Sequence, residues 1–181
     1  MHPLLRRFAS CSHGNAAAEL ALILPIMLLL LFGSVELGNL FLDQHALSKQ
    51  VRDGARFASR LPLSATYTCP SDVFATSSPT PDAKILNVTK NGVVEGTGHP
   101  RWDSTYWARN CTGQATTLQI SYRCVDKDAS GLDGIYTGLD GDLAVVKVSG
   151  QVRYRSILTA VGLNLTNVCM TAEAETPVVG L

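Results

Sequence analysis

Leu20 to Val35 is apolar except for Pro25, Gly33 and Ser34. With Ala16 to Ala18 ahead and Leu37 behind, the run approaches the ~20 residues that a helix needs to cross a bilayer. The block Leu28 to Leu31 leaves no polar face, which excludes an amphipathic surface helix. Arg6 and Arg7 lie just before the run, and the next lysine or arginine is Lys49. The positive-inside rule therefore places the N-terminal end in the cytoplasm and everything after the run across the membrane.

The pattern then changes without a break. Leu37, Leu40, Phe41, Gln44, Leu47, Val51, Ala55 and Ala58 recur at steps of three and four, with Asp43, Lys49, Gln50, Arg52 and Asp53 between them. This spacing predicts a helix with one apolar stripe, and Pro62 gives it a stop. The expectation is one nearly continuous helix over 15–60, spanning the membrane at about 16–36. At 1.5 Å per residue it is roughly 65 Å long, about twice the bilayer core. Its second half must therefore project and pack on something.

Beyond residue 60 aromatics are sparse and Gly, Ser, Thr and Asn are plentiful. Leu61 to Pro81 reads as loop. Thr117 to Val125 and Leu143 to Tyr154 alternate as β-strands, with Gly150 as a bulge candidate. Ser156 to Leu163 reads as a short helix and Val168 to Thr176 as a last strand. The expected fold class is α+β: a long N-terminal helix carrying a small antiparallel β-sheet head over 61–181.

A modest core of this kind often needs covalent help. Of five cysteines, Cys69, Cys111, Cys124 and Cys169 follow the apolar run. Four cysteines at wide, unequal spacing without a CxxC pair predict two disulfides in an oxidising compartment, in any of three pairings. That compartment agrees with the orientation drawn from the arginines.

The ends of the apolar run carry two further signals. Gly14 closes a short segment with Arg6 and Arg7 and no acid, and Glu19 stands at the head of the membrane run. A carboxylate there costs a few kcal/mol unless it is paired or reaches the interface. No A-x-A cleavage pattern follows the run at Gly33 to Glu36, so a secretory signal peptide does not fit. Cleavage between Gly14 and Asn15 would instead leave the helix in the mature chain, with Glu19 fifth. The new α-amine on Asn15 and the Glu19 carboxylate would lie on one helix face.

Gly14, the alanine step, Glu19, Pro25, the leucine run, Glu36-Leu37-Gly38 and Arg52-x-Gly54-Ala55-Arg56 together resemble TadE-like proteins. These are pseudopilins of the tight-adherence (Flp) type IV pilus system. The resemblance covers about a quarter of the chain. Asn15 departs from the small residue usual at that position. The resemblance implies a prepilin-type leader over 1–14 and cleavage at Gly14 by a prepilin peptidase. It further implies an assembly role for Glu19, which would neutralise the terminal amine of a neighbouring subunit. The expected location is the bacterial inner membrane, with the N-terminus cytoplasmic and the head periplasmic, or the pilus itself. The expected partners are inner-membrane lipid, other pilins or pseudopilins and the pilus assembly platform. The function implied is structural: assembling, initiating or capping an adhesive pilus. The alternative is an uncut, single-pass anchored periplasmic domain that binds a ligand or partner.

Other chemistry finds little support. Net charge is zero, which disfavours nucleic-acid binding. No GxSxG, HExxH or P-loop pattern occurs, so no catalytic role and no cofactor are expected. Asp126, Asp128 and Ser130 match the first half of a calcium loop, but the Glu expected at its twelfth position is Thr137, which favours a solvated turn. Trp102, Tyr106 and Trp107 read as a local core under a loop.

Overall fold

In the computed structural model the described residues are 13–71, 74, 80–98, 102, 107, 111, 117–126, 133–137, 141–161 and 168–180. The first element is a 47-residue helix, α1 (His13–Ser59), about 70 Å long at 1.5 Å per residue. It runs through Pro25 without interruption in the helical assignment. A four-residue turn, α2 (Leu63–Thr66), and an 11-residue helix, α3 (Pro81–Asn91), follow. Then come β1 (Leu118–Val125), the turn α4 (Asp133–Tyr136), β2 (Leu143–Arg153), a 3-10 turn (Ile157–Val161) and β3 (Cys169–Pro177).

The three strands form one antiparallel sheet in the order β1-β2-β3. Its inner face carries Ala144, Val146, Val148 and Val152, all fully buried, and α1 lies across it with Leu47, Val51, Ala55 and Ala58 likewise buried. Each of the larger aliphatic side chains so covered contributes about 1.5–3 kcal/mol. The opposite face is polar at its centre, while Leu143 and Val145 near its end are also buried. Lys147, at its centre, bridges Glu173 at 2.6 Å and Glu175 at 3.7 Å.

Gly150 makes no bulge. It keeps regular register with Leu118 on one side and Ala172 on the other. A Cβ there would stand 3.1 Å from Val51 Cγ2. The glycine thus serves close approach of helix and sheet, one of the uses a strand glycine has.

The apolar stripe of α1 divides differently from its sequence reading. Leu47, Val51, Ala55 and Ala58 face the head, whereas Leu37 and Phe41 are 52% and 57% exposed. Asp43, expected among the solvated positions, is buried. The head docks only on the face where residues 43, 47, 51, 55 and 58 stack, because these recur at three- and four-residue steps.

The helix α3 was not expected from the sequence beyond its proline. Pro81 stands at its first positions, Asp82 in its first turn, and Gly92 at its C-terminal cap has φ 73° and donates its N–H to Val88 O at 2.9 Å. These are ordinary start and stop signals. Ile85 and Thr89 are its buried residues facing α1.

The C-terminal end of α1 is sealed from within the chain. Arg60 and Leu61 donate to Phe57 O and Ala58 O at 3.1 Å each, the Tyr67 hydroxyl donates to Ala58 O at 2.6 Å, and Val179 and Gly180 donate to Ser59 O. The carbonyls that a helix end leaves unpaired are thereby satisfied.

The two disulfides join Cys69 to Cys124 and Cys111 to Cys169. One of the three pairings open to the sequence is realised, and each bond ties the 61–117 region to a different edge strand. Trp102 and Trp107 are buried and meet edge to face at 5.9 Å; Tyr106 lies outside the described residues.

Burial, with Tyr122 alongside it, raises the Tyr67 phenol pKa above its ordinary value. Burial does the same for Tyr136 and Tyr154. The hydrogen bond from Lys147 to Glu173 raises the lysine. In every case the folded state holds its proton longer than the unfolded chain. The stability these groups contribute is complete below about pH 10 and is lost as pH rises past it. Thermal melts of the full chain in detergent should show a midpoint that is level from pH 7 to about 9.5 and then falls. A midpoint that climbs above pH 10 would contradict this assignment.

Candidate functional site

Among the described residues, nothing in the head buries residues 16–35 of α1. All are exposed, with Leu29 at 71% and Leu22 at 74%. An isolated apolar helix of this length cannot stand in water, and it is long and apolar enough to cross a membrane. It fits a single-pass membrane anchor.

Gly14 and Asn15 lie in the first turn of α1 as backbone. Glu19 is exposed, one helical turn after Asn15. Among the described residues it has no ion pair. Its carboxylate is therefore available to a group outside the protomer.

Burial begins abruptly at Glu36. This residue, expected at the outer end of the span, is 6% exposed. Its Oε2 accepts the Ile157 N–H at 3.2 Å, and its backbone carbonyl accepts the Tyr154 hydroxyl at 3.1 Å. Asn39 Nδ2 donates to the same tyrosine oxygen at 3.0 Å. Further along, Gln44 Nε2 donates to Thr171 O at 2.8 Å. Glu36, Asn39 and Gln44 thus peg the helix to the base of the sheet just where it leaves the apolar run. The geometry sets the angle at which the head stands on its anchor. Asn39 and Tyr154 were not singled out from the sequence. The cluster of polar residues that ends the apolar run was the available signal, but their partner lies 115 positions away in the chain.

Gly54 is the second residue whose reason appears only in three dimensions. Its Cα faces Thr89 of α3 so closely that a methyl group would overlap the threonine hydroxyl. That hydroxyl is fully buried and donates to Ile85 O at 2.8 Å. The glycine of the Arg52-x-Gly54-Ala55-Arg56 motif is therefore a helix-crossing point.

The four cysteines expected to pair do so. Of the calcium candidates, Asp126 follows β1, while Asp128 and Ser130 lie outside the described residues. Among the described residues no three carboxylate, histidine or cysteine groups converge as a metal site would require.

The family model described as TadE-like protein matches residues 14–56, from the glycine before the anchor to the second arginine of the motif. Neither the comparison with curated proteins nor that with solved structures finds a match.

Proposed function

We propose that this chain, TadE-like over residues 14–56 and so associated with a Tad pilus, is a pseudopilin that helps to assemble, initiate or cap the filament. Its role is structural rather than enzymatic. Its partners are other pilins, the assembly platform and the prepilin peptidase. The head stands in the periplasm, on a helix anchored in the inner membrane.

The observation that carries this reading is the pairing of Glu19 with Gly14 and Asn15 on an otherwise uncovered helix. Within lipid an ionised carboxylate is costly. Cutting after Gly14 creates a positive amine four residues away, about 6 Å along the axis. In a row of parallel helices, the amine of one copy and Glu19 of the next would neutralise each other. A glycine at the cut presents no side chain, so an extended peptide fits closely in a protease.

The experiment is N-terminal sequencing of the membrane-bound protein, with and without the peptidase. Asn15 is the expected first residue when the peptidase is present. Glu19→Gln should be cut as well as the parent, yet lower incorporation into pili or pilin complexes at least tenfold. An intact Met1 in pilus-forming cells would overturn the reading in favour of an uncut anchored domain. So would normal assembly by the glutamine variant.

A further inference from the structure

Two acids stand in α1 where the apolar run ends, and the head covers both. Glu36 and Asp43 are each 6% exposed. Asn39, between them, donates to the Tyr154 hydroxyl, and Gln44, just beyond, donates to Thr171 O. On the side of α1 away from the head, the exposed residues past Val35 are Leu37, Gly38, Phe41 and Leu42, and the first polar one is His45. Ser34, the one hydroxyl in the run, donates to Leu31 O at 2.8 Å and so needs no water. The outward surface of the helix is therefore apolar without a break from Leu20 to Leu42.

Length separates two placements of the bilayer. Glu19 to Glu36 rises about 26 Å at 1.5 Å per residue, short of the ~30 Å hydrocarbon core. Leu20 to Leu42 rises about 33 Å, which fills that core at the ordinary tilt of a membrane helix. An acid at lipid depth is tolerated where it faces protein and finds a partner. Glu36 accepts the Ile157 N–H and Asp43 lies under the head, so neither turns its charge to the lipid in the longer placement.

The base of the head has the matching surface. Beyond Val35 seven large apolar side chains are exposed among the described residues, and five sit at this end: Leu37, Phe41 and Leu42 on the helix, Ile157 and Val168 on the head. Ile157 is bonded to Glu36. Val168 O accepts the N–H of Tyr154, whose hydroxyl meets Glu36 and Asn39. From Tyr154 to Val168 the sequence holds one charged residue, Arg155, which is exposed. An apolar rim with a basic neighbour is the composition of a surface that enters the headgroup zone of a membrane.

We infer that the base of the head is seated in the bilayer: lipid surrounds the outward face of α1 as far as Leu42, and Ile157 and Val168 rest at the headgroup–acyl boundary. Leu42 lies about 9 Å beyond Glu36 along the axis, within the roughly 5–10 Å to which apolar faces enter that boundary. The occupant is phospholipid, because the patch continues the lipid face of the anchor itself. The head thus stands against the membrane instead of above it on a stalk. This inference rests on the anchor alone and holds whether or not the chain is cut after Gly14.

The test is photocrosslinking of the full chain in nanodiscs of phosphatidylethanolamine and phosphatidylglycerol. A diazirine side chain is placed singly at Phe41, Leu42 or Ile157. Leu29 serves as the control inside the lipid, and Lys49 and Val179 as controls outside it. All six positions are exposed, so the label leaves the core alone. Phe41, Leu42 and Ile157 should give phospholipid adducts at least fivefold above Lys49 and Val179, read by mass spectrometry. Phe41→Asp with Leu42→Asp should lower the lipid adduct at Ile157 at least threefold, while thermal melts in detergent show the head still folded.

Lipid adducts at Leu29 with only background at Leu42 and Ile157 would overturn the inference and return the membrane surface to Glu36. Adducts joining Phe41 or Leu42 to a second protein chain in place of lipid would also overturn it, making this face a packing surface between copies. The pattern in the parent chain decides by itself should the variant with both aspartates fail to insert. N-terminal sequencing is a separate readout. Asn15 as first residue, together with no lipid adduct at Ile157, would leave the pseudopilin reading intact and remove only this contact.

Discussion

Gly54→Ala should unfold the joint between α1 and α3 while leaving the anchor intact. The added methyl would fall on the Thr89 hydroxyl, with Thr89 Cβ at 3.1 Å and Cγ2 at 3.5 Å. Thr89 cannot turn aside freely. It is fully buried, β-branched, and held by its bond to Ile85 O. Alanine suits a helix better than glycine by up to about 1 kcal/mol, but overpacking a tight contact costs about 1–3 kcal/mol. The expected net effect is a loss of about 1–2 kcal/mol, since here the steric term exceeds the propensity gain. Circular dichroism melts of the full chain in detergent measure it. Adding Thr89→Ala to Gly54→Ala should recover part of the loss, because it removes the hydroxyl and Cγ2 but leaves Cβ. A Gly54→Ala protein as stable as the parent would show that the two helices are free to separate.

Losing both disulfides should have a larger effect. The bonds close loops of 55 and 58 residues. Cross-links over loops of this size each restrict the unfolded chain by about 4 kcal/mol in the chain-entropy account, and removing one native bond from a small domain costs about 2–5 kcal/mol. A head of this size has total stability on the order of 5–15 kcal/mol. Cys69→Ser with Cys124→Ser should therefore lower the midpoint strongly, and the fourfold serine variant should leave the head unfolded at 37 °C. Limited proteolysis with and without reductant provides the readout. The anchored helix should remain while the head is digested. Among the described residues α1 is the main element packed on the sheet, so little else stands in for the lost bonds. A fourfold variant that stays protease-resistant would mean that the inner face alone suffices.

Much of this architecture was legible in the residues. The apolar run, the three- and four-residue steps after it and Pro62 determined a long helix, and the observed His13–Ser59 agrees with the expected 15–60. Alternation and β-branched residues marked Leu143 to Tyr154 because period two is independent of partners. Cysteine number and spacing predicted two bonds but not which ones, since pairing depends on where loops run. The helix α3 escaped because its charged and polar positions outnumber its buried ones: Pro81, Ile85 and Thr89 are the buried residues in eleven.

What the sequence determined by itself was local and periodic: the anchor, the helix that extends it, the strands and the spacing from Gly14 to Glu19. These follow from backbone geometry and from the cost of placing charge in lipid, neither of which needs a distant partner. Only the tertiary structure decided why Glu36 and Asp43 are buried, why residue 54 has no side chain, and which cysteines meet. Each of those depends on an atom far along the chain arriving within a few ångströms, and no local pattern encodes that arrival.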